Sequence, residues 1–152
     1  MKKHLRYLIL ICIVVLSSCK KDGLAQYQKA DFQNNRWYQT QPIVLTFDNK
    51  TTQKASINFT MGYVYGSQFA KIPLEVYITN PLHQINKIPV TLQLFDQNKN
   101  ELGECVGDFC DITQILVKDY NFDEVGVYKI QVLNTFIHEY LPNVNSVSVQ
   151  VK

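Results

Sequence analysis

Apolar and polar residues alternate along most of this chain, and the alternation restricts its fold more than any other feature. In an extended strand, residues two apart point to the same face of a sheet. Apolar side chains recur at every second position in six segments: 43–47, 57–61, 74–78, 90–94, 128–132 and 147–151. A further strand is expected between Ile112 and Tyr120. About seven strands with little helix favour an antiparallel β-sandwich.

A local motif indicates which kind of sandwich to expect. Glu124, Gly126 and Tyr128 match the acid-x-Gly-x-Tyr tyrosine corner of immunoglobulin-like domains, where the tyrosine hydroxyl bonds to backbone upstream. The alternative interpretation is a turn glycine that precedes a strand tyrosine. Ile130 occupies the position of the immunoglobulin cysteine, so no inter-sheet disulfide is expected there. We predict an all-β, immunoglobulin-like antiparallel β-sandwich of about seven strands, with one short helix around residues 135–141.

The N-terminal segment has the features of a secretory signal peptide. Three basic residues precede an uncharged run at positions 7–16, and this run is shorter than the about 20 residues of a membrane-spanning helix. Cys19 directly follows a Leu-Ser-Ser tripeptide. This arrangement resembles the lipobox of bacterial lipoproteins, in which the thiol is alkylated with diacylglycerol and the chain is cut before the cysteine. The alternative is an ordinary signal peptide with a chance cysteine.

Cleavage before Cys19 divides the chain into three parts. Residues 1–18 are the predicted signal peptide, residues 19–35 the lipidated cysteine and a polar tether, and residues 36–152 the β-sandwich domain. Removal of the signal peptide takes away three of the 15 Lys and Arg residues, so the mature chain contains 12 basic and 13 acidic residues. This near-neutral charge argues against nucleic acid as a partner and against a basic membrane-binding face. The lipid at Cys19 is the one membrane contact that we expect.

Two cysteines remain available after processing, because Cys12 leaves with the signal peptide and Cys19 carries lipid. Cys105 and Cys110 are separated by four residues and reside in an oxidising compartment. The sequence is compatible with a local disulfide between them and with two unpaired thiols. The pair could also supply half of a zinc site, but no second pair of ligands follows it.

The mature chain lacks a recognisable catalytic constellation. Its histidines are His83 and His138, and the His138-Glu139 pair lacks the second histidine of a zinc helix motif because Pro142 occupies that position. Neither a Gly-x-Ser-x-Gly elbow nor a phosphate-binding loop is present. Asp108 and Asp111 could hold calcium together with carbonyl groups, but no repeat or acidic cluster accompanies them. We predict no enzyme activity, no cofactor and no metal.

Three spaced motifs are similar to those of the gliding-motility-associated lipoprotein family GldH. A tryptophan, a proline five residues on and a phenylalanine ten residues on stand at Trp37, Pro42 and Phe47. The family's Gly-x-Gly-x-Gly-Asp-x-Tyr-Asp-like loop is matched at Gly103, Gly107, Asp108 and Asp111, and Cys105 and Cys110 depart from it. Its Phe-x-x-x-Gly-x-Tyr corner is matched at Phe122, Gly126 and Tyr128. The resemblance spans nearly the whole mature chain.

The resemblance implies a non-enzymatic component of the cell envelope that supports the gliding apparatus and its associated protein secretion, with envelope proteins as partners. Lys20 follows Cys19 where many inner-membrane lipoproteins carry an aspartate, so the outer membrane is expected rather than the inner one. A different class of function is a surface sandwich that binds a glycan or another small ligand.

The loop at residues 103–111 is the candidate contact surface for a partner. It joins two predicted strands, so it should lie at one end of the sandwich, where loops commonly carry recognition. Gly103, Gly107, Asp108 and Asp111 are the candidate contact residues. The alternative is a tight connection in which Asp108 caps its own turn.

Overall fold

The computed structural model describes residues 26–152, which form eleven strands and a single 3-10 turn at Gln33–Asn35. The strands are β1 (Gln26–Asp31), β2 (Arg36–Tyr38), β3 (Ile43–Asn49), β4 (Gln53–Val64), β5 (Lys71–Thr79), β6 (Ile85–Gln93), β7 (Glu104–Val106), β8 (Phe109–Phe122), β9 (Gly126–Asn134), β10 (Tyr140–Pro142) and β11 (Val144–Val151). The all-β prediction is therefore confirmed. Among these residues, no helix is long and apolar enough to cross a membrane. The predicted signal peptide and Cys19 lie outside the described residues.

Two antiparallel sheets form the layers of the domain. One has the order β1-β11-β4-β8-β7, the other has the order β3-β9-β5-β6, and β2 pairs with β10 in a small separate sheet. Eight of the strands form the double Greek key of a jelly roll. One layer has the order β1, β11, β4 and β8, and the other has the order β3, β9, β5 and β6.

This connectivity corrects the immunoglobulin-like prediction, and the number of strands exceeds the expected seven. In an immunoglobulin domain the last strand lies beside the sixth strand, in the same sheet. Here the last strand, β11, lies between β1 and β4, in the sheet opposite β9. The physical reason is that alternation fixes which face of a strand is buried but carries no information about which strands become neighbours.

The core fills the space between the two sheets with the side chains that the alternation selects. Strand β3 shows strictly alternating burial, and its Ile43, Leu45 and Phe47 are buried. Strand β9 buries Tyr128, Ile130 and Val132 in the same way. At about 25 cal/mol per Å² of apolar surface, this burial is the main favourable contribution to folding.

The short helix predicted around residues 135–141 is wrong. Tyr140, Leu141 and Pro142 instead form β10, which pairs with β2. The Gln39 side-chain amide donates to the carbonyl of Phe136 and, at 3.0 Å, to the carbonyl of His138. These carbonyls are satisfied by a side chain that lies about a hundred residues away in sequence, so no helical bonds are needed.

Part of the predicted tether belongs to the sheet. Strand β1 lies within residues 19–35 and pairs with β11 from Gln26 opposite Val151 to Asp31 opposite Ser146. Phe32 stacks on the buried Trp37 with ring centroids 5.7 Å apart. The ordered domain therefore begins earlier than residue 36, the boundary expected from composition.

The sandwich has two ends, which we name by residues that lie there. At the Gln26 end, Gln26, Val151 and Ile57 are in register, and the short connections β3–β4, β5–β6 and β8–β9 reverse the chain. At the Gly107 end lie the turn between β7 and β8 and the connections β4–β5 and β6–β7.

Candidate functional site

The predicted contact residues lie on and beside a hairpin at the Gly107 end. In this hairpin, β7 and β8 are joined by the two residues Gly107 and Asp108. Gly107 has a φ of +61°, and Asp108 is not among the residues with positive φ. A positive φ at only the first of two turn residues is the pattern of a type II′ turn, for which glycine is the preferred residue. Gly107 is therefore required by the turn.

Cys105 and Cys110 face each other across this hairpin. They are register partners, and their Sγ atoms lie 1.99 Å apart, as in a disulfide. Cys110 is buried against the core and Cys105 is exposed. A bond here ties the turn at its base, so the short edge strand β7 stays paired with β8.

Glu101 lies near these two sulfurs, and the three residues form a cluster whose possible ligand atoms are within 4.8 Å of one another. The structure gives both sulfurs to a disulfide, which lacks the thiolate that a metal would bind. The Glu101 carboxylate already accepts a hydrogen bond from the Tyr63 hydroxyl at 2.9 Å. The cluster therefore does not fit a metal site in this oxidised form.

Gly103 has a packing role. A Cβ at this position would lie 2.3 Å from the hydroxyl oxygen of Tyr63, whose side chain is buried. Burial raises the pKa of Tyr63, and its hydrogen bond to Glu101 raises it further. Gly103 therefore lets the β6–β7 connection lie directly against a core tyrosine, and it offers no side chain to a partner.

Asp108 and Asp111 differ in their surroundings. The backbone carbonyl of Asp108 accepts the Tyr65 N–H at 2.9 Å, while its exposed carboxylate makes no hydrogen bond or ion pair with any residue in 26–152. The expectation that Asp108 caps its own turn is thus not met in the structure. Asp111 is also exposed and is the register partner of Glu104.

The sequence motifs do not include Val106 and Phe109, yet these two residues form the exposed apolar part of the hairpin. They are register partners, and 85% of Val106 and 53% of Phe109 is exposed. Because the Cys105–Cys110 pair faces the core, the pairs on either side of it face outward. One of these pairs is apolar, and the other is acidic. The alternation around Cys105 and Cys110 was the signal that could have identified them.

We name the outward-facing set of Glu104, Val106, Phe109 and Asp111 the hairpin patch. Like charges directly opposite each other on neighbouring strands are destabilising, and Glu104 and Asp111 have this arrangement. Lys29 is the nearby cation: its pKa is raised by the hydrogen bond and charge of Asp31, with a smaller contribution from Asp111. The ammonium group bonds to Asp31 at 3.0 Å, so its charge is directed mainly at that residue.

A small polar cradle adjoins the hairpin patch. A Cβ on Gly62 would lie 2.3 Å from Asn145 Oδ1, 2.7 Å from Ser146 Oγ and 3.0 Å from Asp111 Oδ1. Gly62 is the register partner of both Asp111 and Ser146, so these three oxygens converge above a position without a side chain. Asp111 therefore lies between the acidic Glu104 on one side and the neutral polar Asn145 and Ser146 on the other.

A separate cleft of roughly 790 Å³ opens at the same end of the sandwich, a size typical of ligand pockets. Its lining residues are Gln68, Ala70, Lys71, Gln93, Phe95, Asp96, Gln97, Lys99 and Leu102. The Asp96 carboxylate accepts hydrogen bonds from Asn98 N–H, Asn100 N–H and Asn100 Nδ2, and these bonds lower its pKa. The lining therefore combines two ammonium groups, Lys71 and Lys99, with one carboxylate, Asp96, which is held within its own loop.

The tyrosine corner lies at the opposite, Gln26 end. The backbone N–H of Glu124 donates to the Tyr128 hydroxyl, and Gly126 between them has a φ of +133°. Pro81 Cβ lies 3.0 Å from where a Cβ on Gly126 would be, so both conformation and space require glycine here. The local motif is present even though the overall topology is not that of an immunoglobulin domain.

Comparison with known proteins gives one family match. The family described as GldH lipoprotein matches residues 25–151. No curated protein matches the chain.

Several solved structures are similar to this chain at very low identity. Eiger TNF from S. frugiperda is 9% identical, with coverage of 84% of this chain and 91% of that one and a TM-score of 0.41. The globular domain of zebrafish complement 1qA protein is 10% identical, with coverage of 83% and 94% and a TM-score of 0.42. A carbohydrate-binding module specific for non-crystalline cellulose, CBM28, is 11% identical, with coverage of 90% and 92% and a TM-score of 0.43. At these scores the likenesses carry no argument about function.

Proposed function

Because the chain belongs to the GldH lipoprotein family, we propose that it is a non-enzymatic, lipid-anchored envelope component that holds a protein partner at the hairpin patch. In this role it supports gliding motility and the associated protein secretion. The family implies a gliding-motility-associated lipoprotein with a lipid anchor in the cell envelope. The lipid is carried by Cys19, and the outer membrane is its location.

The hairpin patch is the observation that carries this proposal. A protein contact surface combines an apolar centre with polar or charged surroundings, whereas a glycan-binding face presents exposed aromatic rings together. Within residues 26–152 the exposed aromatic side chains are Tyr27, Tyr65 and Phe109. Tyr27 lies at the other end of the sandwich, so Tyr65, whose N–H donates to the Asp108 carbonyl, is the one exposed ring of these residues at the same end as Phe109. Val106 and Phe109 form an apolar pair beside two carboxylates, which is the mixed arrangement of a contact surface.

The charge of the hairpin patch indicates the chemistry of its partner. Two carboxylates that face each other repel, and a basic side chain between them would relieve this repulsion. A partner should therefore present an apolar recess for Val106 and Phe109, flanked by an arginine or lysine that reaches Glu104 and Asp111. The affinity of such a contact should fall as the salt concentration rises, because salt screens the charged groups. The burial of Val106 and Phe109 should contribute a part that does not depend on salt.

Cross-linking followed by co-purification of the native lipoprotein tests this proposal. Val106→Ser combined with Phe109→Ala should reduce partner recovery at least tenfold, because the apolar centre of a contact surface carries most of its binding energy. Ile137→Ser is the matched control, because Ile137 is also 85% exposed and lies outside the hairpin. Equal recovery from the two variants would remove the hairpin patch as the contact surface.

A gene deletion tests the assembly role itself. Loss of the protein should impair spreading and secretion or lower the level of its envelope partners. A deletion that leaves spreading, secretion and envelope protein levels unchanged would overturn the assembly role.

The cleft supports a second candidate function, the binding of a small anionic ligand such as an acidic sugar. The observation that supports this second function is the arrangement of the Phe95 ring, three glutamine amides and the ammonium groups of Lys71 and Lys99 around one opening. Lys71→Ala with Lys99→Ala should abolish retention on an acidic-glycan array while leaving partner recovery unchanged. Retention that survives this double substitution would exclude the cleft as the ligand site.

A further inference from the structure

The Gln26 end carries an apolar surface that the partner contact does not use. Leu82, Val125 and Val127 are 60%, 60% and 56% exposed. Leu82 lies in the β5–β6 connection, and the two valines flank Gly126 where β8 turns into β9. Pro81 joins these connections, because its Cβ and Cγ lie 3.0 and 3.1 Å from a Cβ position on Gly126. We name Pro81, Leu82, Val125 and Val127 the end patch.

The chain reaches the membrane from this same end. Gln26 pairs with Val151, and Val151 pairs with Ile57, which lies four residues after the start of β4 at Gln53. The start of β1 therefore lies on the side of the Gln26-end connections, about 13 Å from the β3–β4 connection. Seven residue steps separate Cys19 from Gln26. They can span at most about 25 Å. The tether is therefore short compared with the domain.

The opposite end lies at the limit of the distance that seven residues can span. From Ile57 to Val64, which is level with Phe109, β4 advances seven residues or about 23 Å. The Gly107 turn lies further out still. To bring that turn to the lipid, the tether would have to lie fully extended along the domain, with a large loss of conformational freedom. The Gln26 end is therefore the end that faces the bilayer.

We propose that the end patch rests on the phospholipid surface and orients the domain with the hairpin patch pointing away from the membrane. This inference depends on the lipid at Cys19, which belongs to the proposed function, and it adds a second membrane contact to the single one expected from the sequence. Apolar side chains that point at the head-group boundary leave water there, which is favourable. A fixed orientation places the contact surface where an envelope partner can reach it.

The charges around the end patch give it no preference for a membrane with a net surface charge. Lys129 follows Val127 by two residues, while Asp123 and Glu124 directly precede Val125. His83 and Lys129 line a shallow recess of roughly 430 Å³ beside Pro81 and Val127. Because cations and carboxylates both flank the surface, the contact should be mainly apolar and should change little with salt.

Depth-dependent quenching of a fluorescent label tests this inference on the mature lipidated protein. An environment-sensitive dye is attached to an introduced cysteine, Leu82→Cys or the control Ile137→Cys. Ile137 is 85% exposed and lies in the β9–β10 connection, far from the end patch. The vesicles contain phosphatidylethanolamine and phosphatidylglycerol with brominated phosphatidylcholine as the quencher. We expect at least twofold quenching at position 82, none at position 137, and the same result in low and high salt.

A second pair of variants excludes an effect of the label. With the dye at Val125→Cys, Leu82→Ser combined with Val127→Ser should abolish quenching, whereas Ile137→Ser should leave it unchanged. Flotation with the vesicles but no quenching at position 82, or equal quenching at 82 and 137, would overturn this inference alone. Failure to float would overturn both the inference and the lipid anchor. The partner contact is tested separately by co-purification.

Discussion

The hydroxyl of Tyr128 accepts a hydrogen bond from the backbone N–H of Glu124 at 3.1 Å, across the connection between β8 and β9. The Tyr128 ring also stacks on Phe47 with centroids 5.8 Å apart and meets Phe122 edge-on at 5.0 Å. One tyrosine thus fixes the chain reversal and contributes to the core at the Gln26 end. The end patch depends on this connection, because Val125 lies within it.

Replacement of Tyr128 by phenylalanine should destabilise the domain by about 1–3 kcal/mol, because the Glu124 N–H loses its partner while the ring remains. Chemical denaturation of the two proteins measures this difference. Tyr65→Phe is the control, since Tyr65 is exposed and its hydroxyl makes no hydrogen bond within residues 26–152. A loss equal to that of the control would show that the corner bond contributes nothing.

The domain should lose stability at alkaline pH. Burial raises the pKa of both Tyr63 and Tyr128 above the ordinary value of about 10. A raised pKa in the folded state favours the protonated form, so the full stability is present below about pH 10 and falls as pH rises beyond it. Thermal melts from pH 8 to pH 11 measure the loss. Tyr63→Phe should reduce its size, and a pH-independent melt would contradict this assignment.

The Cys105–Cys110 bond should be present in the secreted protein. Thiol counting on denatured, unreduced protein should find neither cysteine free. Reduction should destabilise the domain by about 2 kcal/mol at most, because the closed loop is short. Two free thiols would mean that the bridge does not form, and a domain that unfolds on reduction would mean that it has more than a local role.

Asp108→Ala combined with Asp111→Ala should weaken partner recovery without loss of stability. Neither carboxylate makes a hydrogen bond within the described residues, and removal of Asp111 relieves its repulsion with Glu104. We expect the free energy of unfolding to stay equal or to rise by a few tenths of a kcal/mol. Melting curves and co-purification measure both effects. If the double variant unfolds, the acidic residues are structural and the contact lies elsewhere.

Cys19→Ala should move the protein from the membrane to the soluble fraction, because the proposed acyl chains at this thiol would be its firm attachment. Fractionation and metabolic acyl labelling measure the change. Cys12→Ala is the control, since Cys12 lies in the predicted signal peptide. Unchanged fractionation together with unchanged labelling would exclude Cys19 as the lipidation site.

The candidate site could be predicted from the sequence only in part. The glycines and aspartates of the loop at residues 103–111 were located correctly at one end of a sandwich. The roles of Gly103 and Gly107 became clear only in the structure, because the first is required by contact with Tyr63 and the second by its φ of +61°. Val106 and Phe109 were missed, since the alternation around Cys105 and Cys110 indicates their exposure only once the cysteine pair is known to face the core.

The sequence by itself determined the faces of the strands and the local corner. Period-two alternation selects the buried side of each strand because the backbone geometry of a strand turns successive side chains to opposite faces. Glu124, Gly126 and Tyr128 are close in the chain, so their arrangement depends on few long-range contacts.

Only the tertiary structure decided the order of the strands. The insertion of β11 between β1 and β4, the use of residues 26–31 as a strand and the replacement of the predicted helix by β10 all join segments that are far apart in the chain. Such pairings are chosen by the total burial and hydrogen bonding of the whole domain. No local pattern records that sum, which is why the strands could be predicted and their partners could not.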